Sequence, residues 1–178
     1  MINRRMALAV GLLVGLSGCA RVGVAPPAPN YRVLVVNEWS PLLWSNYETQ
    51  IIDMVNAERT KQGLARLVVM PALRTVARNH SKDMATRLYS THVSPDGKGP
   101  ADRLKAAGVP FTLQGEVVGM LGPTSNLANT FMYATGTGWM NTPAQWANIL
   151  HPRFTRIGVG VWETNSGNTY STLVFARP

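Results

Sequence analysis

Residues 71–97 read PALRTVARNHSKDMATRLYSTHVSPDG, and this stretch decides the fold. Apolar side chains recur in it at the spacing of one helix face; they are Leu73, Val76, Ala77, Met84 and Leu88. Three basic side chains, Arg74, Arg78 and Lys82, fall on the opposite side. The pattern predicts an amphipathic helix from about Pro71 to Leu88 that packs one face on a core.

The end of the stretch predicts a loop that carries a histidine. Ser94-Pro95-Asp96-Gly97 favours a tight turn, because proline presets the second position and glycine is favoured at the fourth. His92 stands just before this turn and is a candidate site residue. His80 falls in the middle of the apolar helix face, where we expect a hydrogen-bonded core residue, with a place in the functional site as the alternative.

Segments on both sides complete an arrangement of helices followed by strands. Apolar spacing predicts a first helix from about Asn46 to Gln62. Proline at the first turn, Asp102 near the positive end and Gly108 after it predict a short helix from Pro100 to Ala107. Two β segments, Ile157 to Glu163 and Thr169 to Ala176, close the chain, and the turn residues 165–168 between them favour a hairpin. Helices first and strands last, without β-α-β alternation, predict an α+β layered domain.

The N-terminus has the layout of an export signal that ends at the chain's only cysteine. Arg4 and Arg5 give it a positive start, and the apolar run from Met6 to Leu16 is too short for a transmembrane helix. The sequence Leu16-Ser17-Gly18-Cys19 resembles the lipobox of bacterial lipoproteins. We therefore expect an acylated cysteine at position 19.

This signal sets the expected domain organisation and location. Residues 1–18 form the lipoprotein signal peptide, residues 19–45 the acylated N-terminus with a Pro-rich spacer and lead-in arm, and residues 46–178 the folded domain. The lipid on Cys19 makes the membrane a partner, because two or three acyl chains anchor a protein stably. The expected location is the cell envelope, and the outer membrane in a Gram-negative cell, since Ala20 rather than aspartate follows the cysteine.

Charge and composition exclude some partners. The formal net charge of the 178-residue chain is +8, and it falls to +6 when residues 1–18 are removed with Arg4 and Arg5. The basic residues are scattered, without a basic run or interleaved aromatic residues, so we expect no nucleic acid partner. A single cysteine leaves the exported domain without a disulfide.

Eight short motifs, each weak alone, stand in a specific order. They are Val55-Asn56-Ala57-Glu58-Arg59 with Gly63-Leu64; Ala77 to Met84; Ser90 to Gly97; Asp102-Arg103-Leu104 with Ala107-Gly108; Gly115-Glu116; Trp139 to Pro143; Asn148-Ile149-Leu150; and Ile157-Gly158-Val159-Gly160. In this order they resemble the CAP superfamily (cysteine-rich secretory, antigen 5 and pathogenesis-related-1 proteins), and in particular its bacterial SCP-like branch. The resemblance implies a three-layered α-β-α sandwich with a central antiparallel sheet and a cleft at one edge.

The resemblance also implies a cleft lined by two histidines and one or two glutamates, which in the family can hold a divalent metal or organise a polar pocket. His92 matches the first histidine, and Glu116 matches the glutamate of a Gly-Glu-Asn element whose asparagine is Val117 here. Gln145 stands at the position of the second histidine, and Thr142 stands near that of the other glutamate. Half of the tetrad is present, so we expect a cleft that is less charged than in relatives.

The reduced donor set bears on metals and catalysis. Two ionisable ligands are too few for tightly bound zinc, and one carboxylate with an amide offers few oxygens to calcium or magnesium. We therefore predict no metal and no other cofactor. The chain has no His-Glu-x-x-His or Gly-x-Ser-x-Gly motif and no cysteine left after acylation, so we assign no catalytic residue.

The altered cleft favours a binding function. Trp146 follows Gln145 where relatives carry an arginine, and a Gly/Asn/Thr-rich insertion, residues 119–138, brings methionine and aromatic side chains. If these side chains are exposed, they would suit a lipid-like ligand, as the family's association with sterols and fatty acids implies. The alternative is that they fill the core.

Three functions follow from these observations. The first is a membrane-anchored, non-catalytic binding module for a lipid-like ligand or an envelope partner. The second is a hydrolase or peptidase in which His92 and Glu116 act on a water molecule. The third is a structural envelope protein.

Overall fold

A four-stranded sheet with helices on both faces forms the body of the protein. The computed structural model describes residues 41–124, 126–134 and 138–178. The predicted signal peptide, the acylation site Cys19 and the Pro-rich spacer therefore lie outside the described residues.

Helices and strands alternate irregularly along the described chain. In order they are α1 (Pro41–Lys61), β1 (Val68–Val69), α2 (Pro71–Arg87), α3 (Pro100–Ala106), β2 (Leu113–Leu121), α4 (Leu127–Tyr133), a 3-10 helix (Trp139–Asn141), α5 (Pro143–Ile149), β3 (Arg156–Glu163) and β4 (Thr169–Arg177). Within the part of the chain that the structure describes, no helix combines the length and the apolar character needed to cross a bilayer.

The sheet has the strand order β1-β3-β4-β2. The predicted hairpin of β3 and β4 is confirmed, with Gly167 of its turn in the left-handed region (φ 82°). β2 pairs antiparallel with β4 from Leu113 to Leu121. The short β1 runs parallel to β3, so the sheet is mixed rather than wholly antiparallel. Neither β1 nor β2 is among the strands predicted from the sequence.

Alternation of side chains along β4 gives the sheet a core on each face. Leu173 and Phe175 pack in a cluster with residues of α1, α4 and α5. Val174 and Ala176 point the other way and pack against α2 and α3. The expected three-layered α-β-α arrangement of an α+β domain is therefore confirmed.

Helix α2 lies directly on β3 because two glycines remove the intervening side chains. A Cβ atom built on Gly158 would lie 2.2 Å from the backbone nitrogen of Arg74, and one built on Gly160 would lie 2.1 Å from that of Arg78. Such distances are far shorter than any real contact, so both positions require glycine. This close contact fixes where α2 places His80 over the sheet.

Two helix boundaries differ from the predictions. α1 begins at Pro41 rather than near Asn46, so Trp44 is a buried helical residue. α2 ends at Arg87, and Leu88 lies beyond it in the left-handed region (φ 57°) with 76% of its surface exposed. Leu88 is therefore not part of the packed face on which the sequence pattern predicts it.

Part of the insertion of residues 119–138 is regular secondary structure. It begins at the end of β2 and contains α4. Phe131 and Met132 of α4 are buried in the core, which settles the open alternative for them. Met120 is 48% exposed.

Candidate functional site

Glu116 is a buried carboxylate in the apolar strand β2. Its side chain is 2% exposed, and its register partner on β4 is Val174, which faces α2 and α3. Glu116 therefore points to the α2–α3 side of the sheet. A buried carboxylate is strongly unfavourable unless cations and hydrogen-bond donors surround it. Neighbouring side chains from α2, α3 and the loop between them supply these groups.

Arg103 of α3 binds both oxygens of Glu116. Its Nη2 atom lies 3.0 Å from Oε1 and 2.8 Å from Oε2. The same guanidinium holds the loop between α2 and α3, because Nη1 donates to the carbonyl of Lys98 and Nη2 to that of His92, both at 2.9 Å. Arg103 therefore joins α3, β2 and the loop at one point.

His92 contacts Glu116 through one ring nitrogen. Nδ1 lies 3.0 Å from Oε1 of Glu116, and since an ionised carboxylate only accepts, Nδ1 carries the proton of this hydrogen bond. The His92 side chain is 52% exposed. Its Nε2 atom has no hydrogen bond to the described residues and remains available to a ligand or to water.

His80 is confirmed as a hydrogen-bonded core residue, and it also borders the site. Its fully buried Nε2 donates to the carbonyl of Thr91 at 3.1 Å and lies 3.9 Å from Oε1 of Glu116. Burial is the main cause that lowers the pKa of His80; the charge of Arg103 acts in the same direction, while Glu116 and the Thr91 carbonyl oppose it. The ring is therefore neutral near pH 7.

An ion pair fastens the His92 loop, residues 88–99, to α2. Arg87 at the end of α2 lies 3.3 Å from Asp83 and 3.2 Å from Asp96. The predicted turn at residues 94–97 is confirmed, because the N–H of its fourth residue donates to the carbonyl of its first at 2.8 Å. Asp96 is committed to Arg87 and to the turn, and it does not orient His92.

Thr142 and Gln145, the other predicted cleft residues, have separate surroundings. The Thr142 hydroxyl donates to the carbonyl of Gly138 at 3.2 Å, and Oε1 of Gln145 is buried without a partner among the described residues. Successive residues of β2 point to opposite faces, so a Cβ on Gly115 would point away from the Glu116 side. It would lie 2.4 Å from Oδ1 of Asn148, so α5 packs on that opposite face. No described hydrogen bond joins either residue to Glu116. The described hydrogen bonds thus join His92 and Glu116, the two ionisable members of the predicted set.

The surroundings of Glu116 include a cation that the sequence does not assign to the site. The prediction of a cleft less charged than in relatives concerns Thr142 and Gln145, whereas Arg103 and His80 border the carboxylate. The sequence does indicate that Glu116 needs a cationic partner. The two valines that follow it favour a buried strand, and a buried carboxylate requires a cation. Which arginine supplies it depends on how α3 packs beside β2, and local sequence patterns do not carry that information.

These side chains do not fit a bound divalent metal. Both oxygens of Glu116 already contact Arg103, and His80 donates its Nε2 proton to a backbone carbonyl. Nε2 of His92 and the buried Nδ1 of His80, which has no described hydrogen-bond partner, are then two open nitrogens, whereas a tight zinc site takes three or four protein ligands. In the described ranges, no three His, Cys, Asp or Glu side chains are grouped so that they could hold a metal.

His92 and Glu116 have the geometry of a base and the carboxylate that orients it. No described hydrogen bond joins a hydroxyl side chain to His92; those of Ser81 and Ser94 donate to backbone carbonyls. The chemistry open to the pair is activation of a water molecule. The Arg103 cation opposes it, since it already compensates the carboxylate that would stabilise a protonated histidine.

A family model matches most of the described domain. Residues 52–175 match the model of the cysteine-rich secretory protein family, CAP. The chain belongs to the CAP family. This CAP domain is 35% identical over 127 residues to the uncharacterized protein YkwD of Bacillus subtilis, covering 71% of this chain and 47% of that protein. It is 34% identical over 116 residues to the uncharacterized membrane protein YlbC of the same organism, covering 64% of this chain and 31% of that protein. The chain therefore spans less than half the length of these two relatives.

Solved structures support the same fold. An extracellular protein of Bacillus anthracis that contains an SCP domain is 29% identical, with a TM-score of 0.65 over 79% of this CAP chain and 45% of that protein. An outer surface protein of Borrelia burgdorferi is 18% identical, with a TM-score of 0.66 over 74% of this chain and 92% of that one. The second likeness concerns the fold alone.

Proposed function

We propose that this protein is a lipid-anchored protein of the cell envelope whose CAP domain binds a ligand or partner without catalysing a reaction. The observation that carries the proposal is the pairing of both Glu116 oxygens with Arg103. A buried carboxylate bound in this way forms an ion pair in which the arginine already compensates its charge. Binding at the surface around His92 requires neither a free carboxylate nor a metal.

The envelope location is supported by two independent observations. The N-terminal sequence that ends in Cys19 has the layout of a lipoprotein signal. The similar proteins include one described as extracellular in Bacillus anthracis and one described as a membrane protein in Bacillus subtilis. Both observations agree with export followed by retention at the cell surface.

The proposed binding surface combines polar and apolar groups. His92 is half exposed, and its neighbour Val93 is 53% exposed. Leu88, at the start of the same loop, is the most exposed of the large apolar side chains in the described residues. A surface of this kind suits a ligand with a polar head and an apolar body, such as a lipid-like molecule, or an envelope protein.

The hydrolase alternative is favoured by one specific observation. His92 places Nδ1 on Glu116 and leaves Nε2 free of described hydrogen bonds, which is the arrangement of a general base. The ion pair to Arg103 argues against it. The structural-protein alternative requires only a stable fold and an anchor.

Turnover and bound ligands separate the three functions. We expect the mature protein to show no hydrolysis of peptides or peptidoglycan above background. Native mass spectrometry should detect a co-purified ligand or partner that is lost in His92→Ala and kept in the matched control His151→Ala. Hydrolysis abolished by His92→Ala would establish the enzyme, and a protein that never carries a ligand or partner would establish the structural role.

A further inference from the structure

We propose that the loop between α2 and α3 docks on the membrane that holds the lipid anchor, with Leu88 and Val93 inserted among the lipids. The inference rests on the proposed acylation of Cys19, and it adds a second, non-covalent membrane contact and an orientation of the domain. The occupant of the apolar loop surface is thus a lipid bilayer.

Leu88 occupies a position that is unfavourable for leucine in two respects. Its backbone is left-handed (φ 57°, ψ 51°), a conformation in which helices usually end with glycine or asparagine. Its side chain is 76% exposed to water. The helix end would form equally well with glycine, because its hydrogen bonds run from backbone N–H groups to the carbonyl of Met84. Neither the helix cap nor packing within the domain requires a leucine at position 88. An apolar contact with a partner outside the chain would account for it.

Other exposed apolar side chains lie near Leu88. Val93, in the same loop, is 53% exposed, and Met120, near the end of β2, is 48% exposed. Val118, which precedes Met120 on the same face of β2, packs with Met84 of the last turn of α2. The end of β2 and the end of α2 are therefore adjacent. Leu88 and Met120 therefore lie at one end of the sheet, and the Arg87–Asp96 ion pair holds the loop that carries Val93 to the end of α2.

The direction of α2 identifies that end of the sheet. The start of α2 packs on Gly158, near the beginning of β3. Further along α2, the Lys82 ammonium lies 4.9 Å from the centre of the Trp162 ring, near the end of β3. α2 therefore runs parallel to β3 and projects Leu88 beyond the end of β3.

The direction of α1 brings the N-terminus of the domain to the same end. Glu48, near the start of α1, accepts a hydrogen bond from the N–H of Val161 at 3.4 Å. Arg59, near the end of α1, donates to the carbonyl of Phe154, just before β3 begins. α1 therefore runs antiparallel to β3, and its first residues lie beyond the end of β3. The chain that leads to the proposed anchor joins the domain on the side that presents Leu88.

Because the proposed lipid anchor holds the domain near the membrane, a weak contact of the loop with lipid is sufficient. The residues between Cys19 and α1 span at most roughly 75 Å when fully extended. A tethered surface meets its membrane at an effective concentration of roughly millimolar, so two inserted side chains need not bind strongly on their own. Arg87 and Lys98 border the loop, but both also pair with Asp96. We therefore expect apolar insertion to dominate and added salt to have little effect.

Site-specific quenching tests this docking in the full acylated protein. Leu88→Cys or Val93→Cys is labelled with an environment-sensitive fluorophore, which is selective because acylation blocks Cys19, the only native cysteine. The protein is reconstituted in phosphatidylethanolamine–phosphatidylglycerol vesicles that contain spin-labelled lipid. Val68→Cys is the matched control, because Val68 is 57% exposed on β1, beside the start of β3 at the other end of the sheet. We expect at least twofold stronger quenching at positions 88 and 93 than at 68.

A second variant separates insertion from folding. Leu88→Asn suits the left-handed backbone, so the melting temperature should stay level or rise. In the Val93→Cys background it should remove most of the quenching at position 93. Equal quenching at all positions, or quenching at 93 that survives Leu88→Asn, overturns the docking while the anchor stands. A mature N-terminus that carries no acyl chain by mass spectrometry overturns the proposed anchor, and the docking with it.

Discussion

At the residue scale, the carboxylate of Glu116 organises the site. It is 2% exposed, Arg103 binds both of its oxygens, and His92 donates to one of them. Breaking a buried pair by removing one partner is strongly destabilising, because the other charge remains buried without compensation. The pair can therefore be tested through stability, independently of any ligand.

Substitution of Arg103 by leucine should lower the free energy of unfolding by about 3 to 5 kcal/mol, since it leaves Glu116 uncompensated. The double variant Arg103→Leu/Glu116→Gln should regain a large part of this loss. Urea denaturation of the two single variants and the double variant measures the coupling. Additive losses would show that the two side chains do not act as a pair.

The lowered pKa of His80 predicts a loss of stability in mild acid. The unfolded histidine binds a proton below about pH 6.5, whereas the folded one, buried beside Arg103, Glu116 and Asp83, stays neutral to lower pH. The unfolded state then binds more protons, so the free energy of unfolding falls as the pH decreases from 6.5 towards 5, by up to about 1.4 kcal/mol per pH unit. Above 6.5 this contribution is constant.

Thermal melts between pH 5 and 8 check this dependence. His80→Gln, which keeps an N–H donor for Thr91 but does not titrate, should flatten the slope below pH 6.5. His151→Gln is the matched control and should leave the slope unchanged. An unchanged slope in His80→Gln would assign the acid sensitivity to another group.

At the element scale, the contact of α2 with β3 sets the position of the site. Gly158 and Gly160 let the helix backbone approach the strand, and the Ser81 hydroxyl donates to the carbonyl of Gly160 at 2.9 Å. His80 precedes Ser81 on the helix. The distance of α2 from the sheet therefore determines where the His80 ring meets Glu116.

Gly160→Ala should lower the free energy of unfolding by roughly 3 kcal/mol, because the new methyl group would overlap the backbone of Arg78. Gly122→Ala is the matched control: its added Cβ would meet no atom within 4 Å, so the change should stay within about 0.5 kcal/mol. Denaturant unfolding measures both. A Gly160→Ala variant as stable as wild type would contradict the close packing of α2 on β3.

Local patterns predicted the elements that depend on local forces. The spacing of apolar residues located α2 and α3, and turn residues located the hairpin of β3 and β4. β2 escaped prediction because its sequence, Leu113–Leu121, contains two glycines and a glutamate, whose environment is supplied by distant segments. β1 has two residues and pairs with a strand far along the chain.

The candidate site was predictable only in part for the same reason. The resemblance identified His92 and Glu116, and the structure joins them by a hydrogen bond. The sequence identified Arg103 only as part of a motif. Its pairing with Glu116 depends on how α3 packs beside β2, which local patterns do not show. Leu88 was assigned to the packed face since the helical period continues to it, but the helix ends one residue earlier.

At the scale of the whole molecule, two arginines of α2 pair with one buried glutamate of α1 and so connect the helical layers on the two faces of the sheet. Glu48 of α1 is fully buried and accepts two hydrogen bonds of 2.6 Å from Arg78 of α2. It also accepts the backbone N–H of Val161 on β3. The layers are thus held together beside the second half of β3, through contacts of Glu48 with both α2 and the strand.

A calorimetric titration with zinc tests the central claim most directly, because a metal site would require Glu116 to leave Arg103. The claim is that Glu116 is committed to a fixed ion pair and that the site binds without metal-dependent chemistry. We expect no saturable heat in the micromolar range for the mature protein, and the same result for Glu116→Ala. Saturable micromolar binding that is abolished by Glu116→Ala and retained in His151→Ala would contradict the claim.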